Sequence, residues 1–236
     1  MTDSALALGV AGRTVLIAGA TSASGHACAA ALSAAGARVI AVGSNAERLA
    51  ELAQAVPGVI TRVCDLGDFA AVSALAEEIR VTAAKHGHAG IDGLIHLVGG
   101  WRGGGGLAGQ SDSDYRFLER SLTALRHVSR AFDADLRESS AGRLAIVSST
   151  AVARPLAGGA NYAAIKAASE AWTRAVGQGF AKGARDGSRE LNAAAVIFRT
   201  KSLEGLEGAL ADAFIALWSD DAEDWNDVIV ELGDGG

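Results

Sequence analysis

Cysteine, proline and aromatic residues are the scarce features of this sequence: two cysteines, two prolines, and aromatics at 5% of 236 residues. Cys28 and Cys64 lack metal-ligand spacing and the density of a cross-linked secreted scaffold, so buried free thiols are expected rather than a disulfide. The five histidines (His26, His86, His88, His96 and His127) are equally dispersed, and no metal site is expected. No Pro-rich, Gly/Ser-rich or repeated tract marks a boundary, so residues 1–236 read as one domain. Long apolar runs are missing too. Stretches such as 39–42 and 91–98 fall far short of the roughly 20 residues that span a bilayer. Met1–Val10 has neither the basic start nor the long apolar centre of a signal peptide. A cytoplasmic protein with no membrane partner is the expectation. Positive charge is not in excess either, and a formal net charge of −6 argues against nucleic acid, whose phosphates need a positive field.

What the chain does have is alternation. Short apolar runs at 13–18, 36–42, 59–64, 93–98, 144–149, 191–198 and 227–232 read as strands. Helix-favouring segments stand between them at 25–35, 46–55, 69–86, 113–138, 160–180 and 206–218. Apolar strands separated by helical crossovers must be parallel, because a parallel strand returns only through a long connection. The expected fold is therefore α/β: a single-domain, Rossmann-like, doubly wound parallel sheet of about seven strands with helices on both faces. In such sheets ligands bind at the carboxyl ends of the strands, where the strand order reverses.

Between the first strand and helix runs Ala18-Gly-Ala-Thr-Ser-Ala-Ser-Gly25. Glycines in that context let backbone approach a pyrophosphate at a helix N-terminus, which makes Gly19, Thr21, Ser22, Ala23, Ser24 and Gly25 candidate cofactor contacts. The second strand ends in Gly43-Ser44-Asn45 with no acidic residue to bind ribose hydroxyls or repel a 2′-phosphate. NADP(H) is thereby favoured over NAD(H), with Ser22, Ser44, Asn45 and Arg48 as phosphate donors. A plain helix cap at Ser44-Asn45 is the alternative.

Asn161-Tyr-Ala-Ala-Ile-Lys166 places a phenol and an ammonium four residues apart, hence on one helical face. Ser149 ends an apolar strand upstream, at the edge where the cofactor is expected. The glycine turn and the Ser…Tyr-x-x-x-Lys order together resemble the short-chain dehydrogenase/reductase family, over essentially the whole chain. The resemblance implies an NAD(P)-dependent oxidoreductase, a ketoreductase or the reverse alcohol dehydrogenase. In it Tyr162 exchanges a proton with substrate oxygen, Ser149 holds that oxygen, and Lys166 binds the nicotinamide ribose. Lys166 is also expected to lower the pKa of the phenol.

By the same resemblance, Asp65 and Leu66 after the third strand lie by the adenine, Asp65 being otherwise a turn aspartate. His96-Leu-Val-Gly99 replaces the family's Asn-Asn-Ala-Gly, leaving Val98 and Gly99 at the cofactor and His96 as a structural histidine. Ser121 stands where an asparagine supports a water-linked proton relay, and no asparagine occurs between Asn45 and Asn161. Ile197, Phe198 and Thr200 replace the segment that meets the nicotinamide carboxamide. The short stretch 201–207 implies an open pocket, and the glycine-rich loop 99–106 is either a connector or a flap that offers Trp101 and Arg102 to substrate. Helices 113–138 and 160–180 resemble those that pair subunits, so a homotetramer or homodimer is expected. A cofactor-binding sensor or scaffold with little catalysis is the rival reading.

Overall fold

The computed structural model describes residues 9–85 and 90–233. The first eight residues, His86 at the end of one expected helix, and His88 lie outside the described residues. Seven parallel strands form one sheet: β1 (Thr14–Ala18), β2 (Arg38–Gly43), β3 (Ile60–Val63), β4 (Gly93–His96), β5 (Gly142–Ser149), β6 (Ala193–Thr200) and β7 (Val228–Glu231). Their spatial order is β3-β2-β1-β4-β5-β6-β7, so the winding reverses between β1 and β4. Crossovers run through α1 (Ala23–Ala34), α2 (Ala46–Ala55), α3 (Phe69–Lys85), α4 (Asp112–Ala131), α5 (Asp133–Glu138), α6 (Ala160–Asp186), α7 (Glu207–Ala216) and the short α8 (Ala222–Trp225).

Alternation along each strand sends successive side chains to opposite faces. Val15 and Ile17 of β1 join a core with Leu32 of α1, Leu49 of α2, and Phe214 and Trp218 around α7. Leu16 and Ala18 join the other core with Leu75 of α3, Leu125 of α4, Phe132 and Phe180 of α6. Two apolar layers thus cover both faces of the sheet, which is what makes the central strands apolar throughout. The edge strand β3 departs from that rule, with Ile60 and Val63 exposed.

Three expected boundaries move. The 113–138 helix is interrupted at Phe132, whose ring is completely buried and whose backbone leaves helical geometry (φ −108°, ψ 9°). Hydrogen bonds continue across it, from Phe132 to Val128 and from Leu136 to Phe132, so the chain bends to seat the ring. Helix α6 runs on past Phe180 to Asp186 despite Gly177, Gly179 and Gly183. Gly177 there leaves room for Asn226, whose Nδ2 donates to the Gly177 carbonyl at 3.0 Å. Strand β6 extends to Thr200, paired with Ser149 of β5.

Candidate active site

Where the winding reverses, the β1–α1 turn packs directly on the chain leaving β4. Gly19 has φ +88°, and a Cβ on it would come within 2.8 Å of the Val98 nitrogen. A Cβ on Gly25 would overlap the Ala20 carbonyl, so only glycine fits the first turn of α1. Ser22 caps that helix: its Oγ accepts from Gly25 N–H at 3.1 Å, and its carbonyl accepts from His26 N–H. The N–H groups of Ala23 and Ser24 remain at the helix end, the arrangement that attracts an anion.

At the end of β2, Ser44 is exposed, and Asn45 Oδ1 accepts from Arg48 N–H at 2.9 Å, so the asparagine caps α2. Thr21 is half-buried against this side. Asp65 is exposed, and its Oδ1 closes a turn on Gly67 N–H at 2.9 Å; Leu66 points into the core.

The catalytic candidates converge at the ends of β4 and β5. Ser149, Tyr162 and Lys166 line one cavity of about 1260 Å³, together with His96, Val98 and Thr200. Ser149 is delivered by the last residue of β5, where its Oγ accepts from Ala151 N–H at 3.2 Å. Tyr162 and Lys166 occupy successive turns at the start of α6. The Lys166 ammonium donates to the Val147 carbonyl at 2.7 Å and stands 5.7 Å from the centre of the Tyr162 ring.

Burial raises the Tyr162 pKa above its ordinary value, with a hydrogen bond to Ser149 opposing. The expected depression by Lys166 is not what this geometry gives, because the ammonium is turned onto Val147 rather than the phenol oxygen. Burial also lowers Lys166 to about 8, against the pull of Glu170 one turn further along the helix. Glu170, itself buried, accepts from Ser148 Oγ at 2.6 Å and from Arg199 Nε and Nη2 at 2.8 and 2.6 Å. This network fastens α6 to β5 and β6 directly beneath the lysine. The sequence offered a signal for it, since Glu170 sits at helical spacing from Lys166.

Other expected contacts are not brought to the cavity. Ser121 is buried with its hydroxyl committed to the Leu118 carbonyl at 2.7 Å. Its own carbonyl faces His96 Nε2 at 3.0 Å, so the histidine, not a serine hydroxyl, links β4 to α4. Ile197 and Phe198 lie inside β6, paired on both sides by β5 and β7, and contribute to the core. Because the strand is longer than its apolar run suggested, the cavity is lined instead by Thr200 through Leu203. Thr200 Oγ1 donates to the Ser202 carbonyl at 2.7 Å.

The glycine-rich segment after β4 is anchored rather than loose. Gly104 N–H donates to the Gly158 carbonyl at 2.7 Å, and Gln110 Nε2 donates to the same carbonyl at 3.0 Å. Gln110 Oε1 in turn accepts from Asn161 N–H at 3.1 Å, at the start of α6. Trp101 lines the cavity, whereas Arg102 is turned away, its guanidinium 4.0 Å from the centre of the Phe117 ring. Among the described residues no helix is long and apolar enough to cross a membrane.

Comparison with known proteins places this architecture among its relatives. The family described as short chain dehydrogenase matches residues 13–184. L-sorbose reductase from Gluconobacter frateurii, solved with NADPH and L-sorbose, superposes with a TM-score of 0.79 at 18% identity, covering 96% of this chain and 97% of its own. A metagenomic short-chain oxidoreductase in complex with NADP gives 0.77 at 22% identity, with 96% and 100% covered. The short chain dehydrogenase from Shigella flexneri gives 0.79 at 20% identity, with 98% and 93% covered. No curated protein matches the chain.

Proposed function

From the premise that this chain belongs to the short chain dehydrogenase family, we propose that it reduces a carbonyl compound with NADPH, or oxidises the corresponding alcohol, using Tyr162 as acid and base. The observation that carries this reading is the convergence of Ser149, Tyr162 and Lys166 on one cavity beside the nucleotide turn.

The residues present fit a dinucleotide. Glycine at 19 and 25 lets the β1–α1 turn close tightly on the Val98 nitrogen and the Ala20 carbonyl, and the first N–H groups of α1, those of Ala23 and Ser24, are left at the helix end to hold a pyrophosphate. His96 Nδ1 is a buried atom with no protein partner in the cavity wall, a further acceptor for a bound group. In this assignment Gly19–Gly25 hold the pyrophosphate, Ser44, Asn45 and Arg48 the 2′-phosphate, Asp65 the adenine side, and Val98, Gly99 and Lys166 the nicotinamide ribose. Thr200 completes the nicotinamide end. When bound, the cofactor supplies a hydride for the carbonyl carbon or accepts one from the alcohol.

The protein's own work is to manage the charge left on oxygen. With its pKa held up by burial, Tyr162 keeps its proton and offers it to that oxygen. Ser149, its Oγ lone pair engaged by Ala151 N–H, has one hydroxyl proton, which it turns from the Tyr162 oxygen to the substrate oxygen. Lys166 brings positive charge beside both, and its approach is fixed by Val147. The start of α4 leaves the large side chains of Tyr115 and Phe117 exposed, which supports assembly into a homotetramer or homodimer, measurable by light scattering.

The test is NADPH oxidation with purified protein against ketones, quinones and acyl-thioester ketones, alongside a cofactor-binding titration. Turnover of one class with tighter binding of NADPH than NADH is expected. Binding without turnover on any of them would favour a sensor or scaffold.

A further inference from the structure

The wall of the cavity departs from the charge balance of the rest of the chain. In a protein carrying 27 acidic residues and a net charge of −6, its described lining contains no Asp or Glu and three cations, Lys166, Lys201 and Arg154. Lys166 is engaged by Val147. Lys201 directly follows Thr200, at the strand end assigned to the nicotinamide. Arg154 stands elsewhere, on the connection between β5 and α6, and makes no ion pair among the described residues.

That connection is held firmly. Gly158 accepts from both Gly104 N–H and Gln110 Nε2, so the chain carrying Arg154 and the chain carrying Trp101 form one continuous wall. Pro155 restricts the backbone of Arg154 itself. Two large apolar side chains stand on the same wall and remain mostly in water, Trp101 at 61% and Leu156 at 71% exposure. Covering such surface with an apolar group is favourable because it removes it from water. A guanidinium beside it offers a planar pair of donors that matches a carboxylate.

Resting on the reading of this site as a carbonyl reductase, we propose that its substrates are keto acids with a bulky aromatic or branched apolar body, Arg154 taking the carboxylate while Trp101 and Leu156 cover the body. Arg154 is then the specificity-determining residue of the reaction, separate from the groups that move the proton.

The experiment uses matched pairs of ketones, an aryl-bearing keto acid and its methyl ester, with NADPH and the native protein or Arg154→Gln. The native protein is expected to prefer the acid by at least about tenfold in kcat/KM, mostly through KM, and the preference to collapse to near parity in the variant. Arg154→Lys restores only part of it, because a point charge lacks the second donor. Equal kcat/KM for acid and ester in the native protein, or a preference that survives Arg154→Gln, overturns the proposal.

Should neither compound turn over, the panel of ketones, quinones and acyl-thioester ketones decides the carbonyl-reductase reading, and tryptophan fluorescence decides the binding claim separately. Quenching by the acid but not the ester, lost in both Trp101→Phe and Arg154→Gln, supports the anion site. No acid-specific quenching overturns it.

Discussion

The Nε2 atom of His96 lies 3.0 Å from the backbone oxygen of Ser121, inside the core, and ties the end of β4 to the middle of α4. A carbonyl oxygen can only accept, so Nε2 carries the proton, and Nδ1 is left as a lone-pair acceptor without a protein partner. Charging this ring would put a second cation near Lys166 in a place water does not reach. Burial first, and the lysine second, depress its pKa to about 3 from 6.5.

That depression predicts an acid-sensitive fold. As pH falls below about 6.5 the unfolded chain takes up a proton at His96 and the folded chain does not, until about pH 3. Stability should therefore drop across this window by up to about 1.4 kcal/mol per pH unit from this residue. Urea melts over that range should show a steeper loss for the native chain than for His96→Asn, whose neutral amide can still donate to Ser121. Equal slopes would remove His96 as the cause.

Lys166 sets a different pH limit, on function. Its ammonium titrates near about 8 in the cofactor-free protein because burial disfavours the charge. The cation is present below that value and lost as pH rises through it, so NADPH affinity and kcat/KM for reduction should both fall on the alkaline side. Replacing Lys166 by Arg, which stays charged, should remove this limb from the binding titration. Cofactor affinity unchanged between pH 7 and 10 in the native protein would contradict the assignment.

Replacing Tyr162 by Phe takes away one oxygen and leaves the ring in its half-buried seat. Loss of a positioned general acid costs about 10²–10⁴ in rate. Turnover should fall by that amount while NADPH binding, measured by calorimetry, stays within about threefold. A variant retaining most of its carbonyl-reductase activity would transfer the proton donation to another group.

The fold was readable from the chain because burial on both sheet faces imposes the same demand on every central strand: Val15, Leu16, Ile17 and Ala18 are all completely buried. The Tyr-x-x-x-Lys pair was readable because helical spacing alone puts the two side chains together. What escaped was decided by tertiary contacts. Phe132 bends its helix to fill a space that local propensity does not register, and Gly177 and Gly183 of α6 survive because Asn226 and Arg137 pack against them. The hydroxyl expected of Ser121 is not free for a relay because a serine hydroxyl in a helix finds the carbonyl three residues back, here that of Leu118. Arg102 left the cavity for a similar reason, finding Phe117, and Arg154, which the sequence reading did not single out, stands on its wall.

Cofactor choice rests on the exposed end of β2. Strand pairing carries Gly43 to the last position of the ladder with β3, so Ser44 is the first side chain beyond it, and Arg48 follows one helical turn later, also exposed. Asn45 caps α2 through Oδ1 alone, so its Nδ2 joins Ser44 and Arg48 as the proposed donors for a 2′-phosphate. An aspartate at 44 would repel that phosphate and accept from the ribose hydroxyls of NADH instead. Because the position is exposed and screened by salt, the effect should be moderate. Ser44→Asp is expected to shift the NADPH-to-NADH ratio of kcat/KM by about tenfold or more toward NADH, with the cap and thermal stability intact. Arg48→Ala should move the ratio in the same direction through weaker NADPH binding alone. A native protein that binds NADH more tightly, or a ratio indifferent to both substitutions, would place the selectivity elsewhere on the adenosine side.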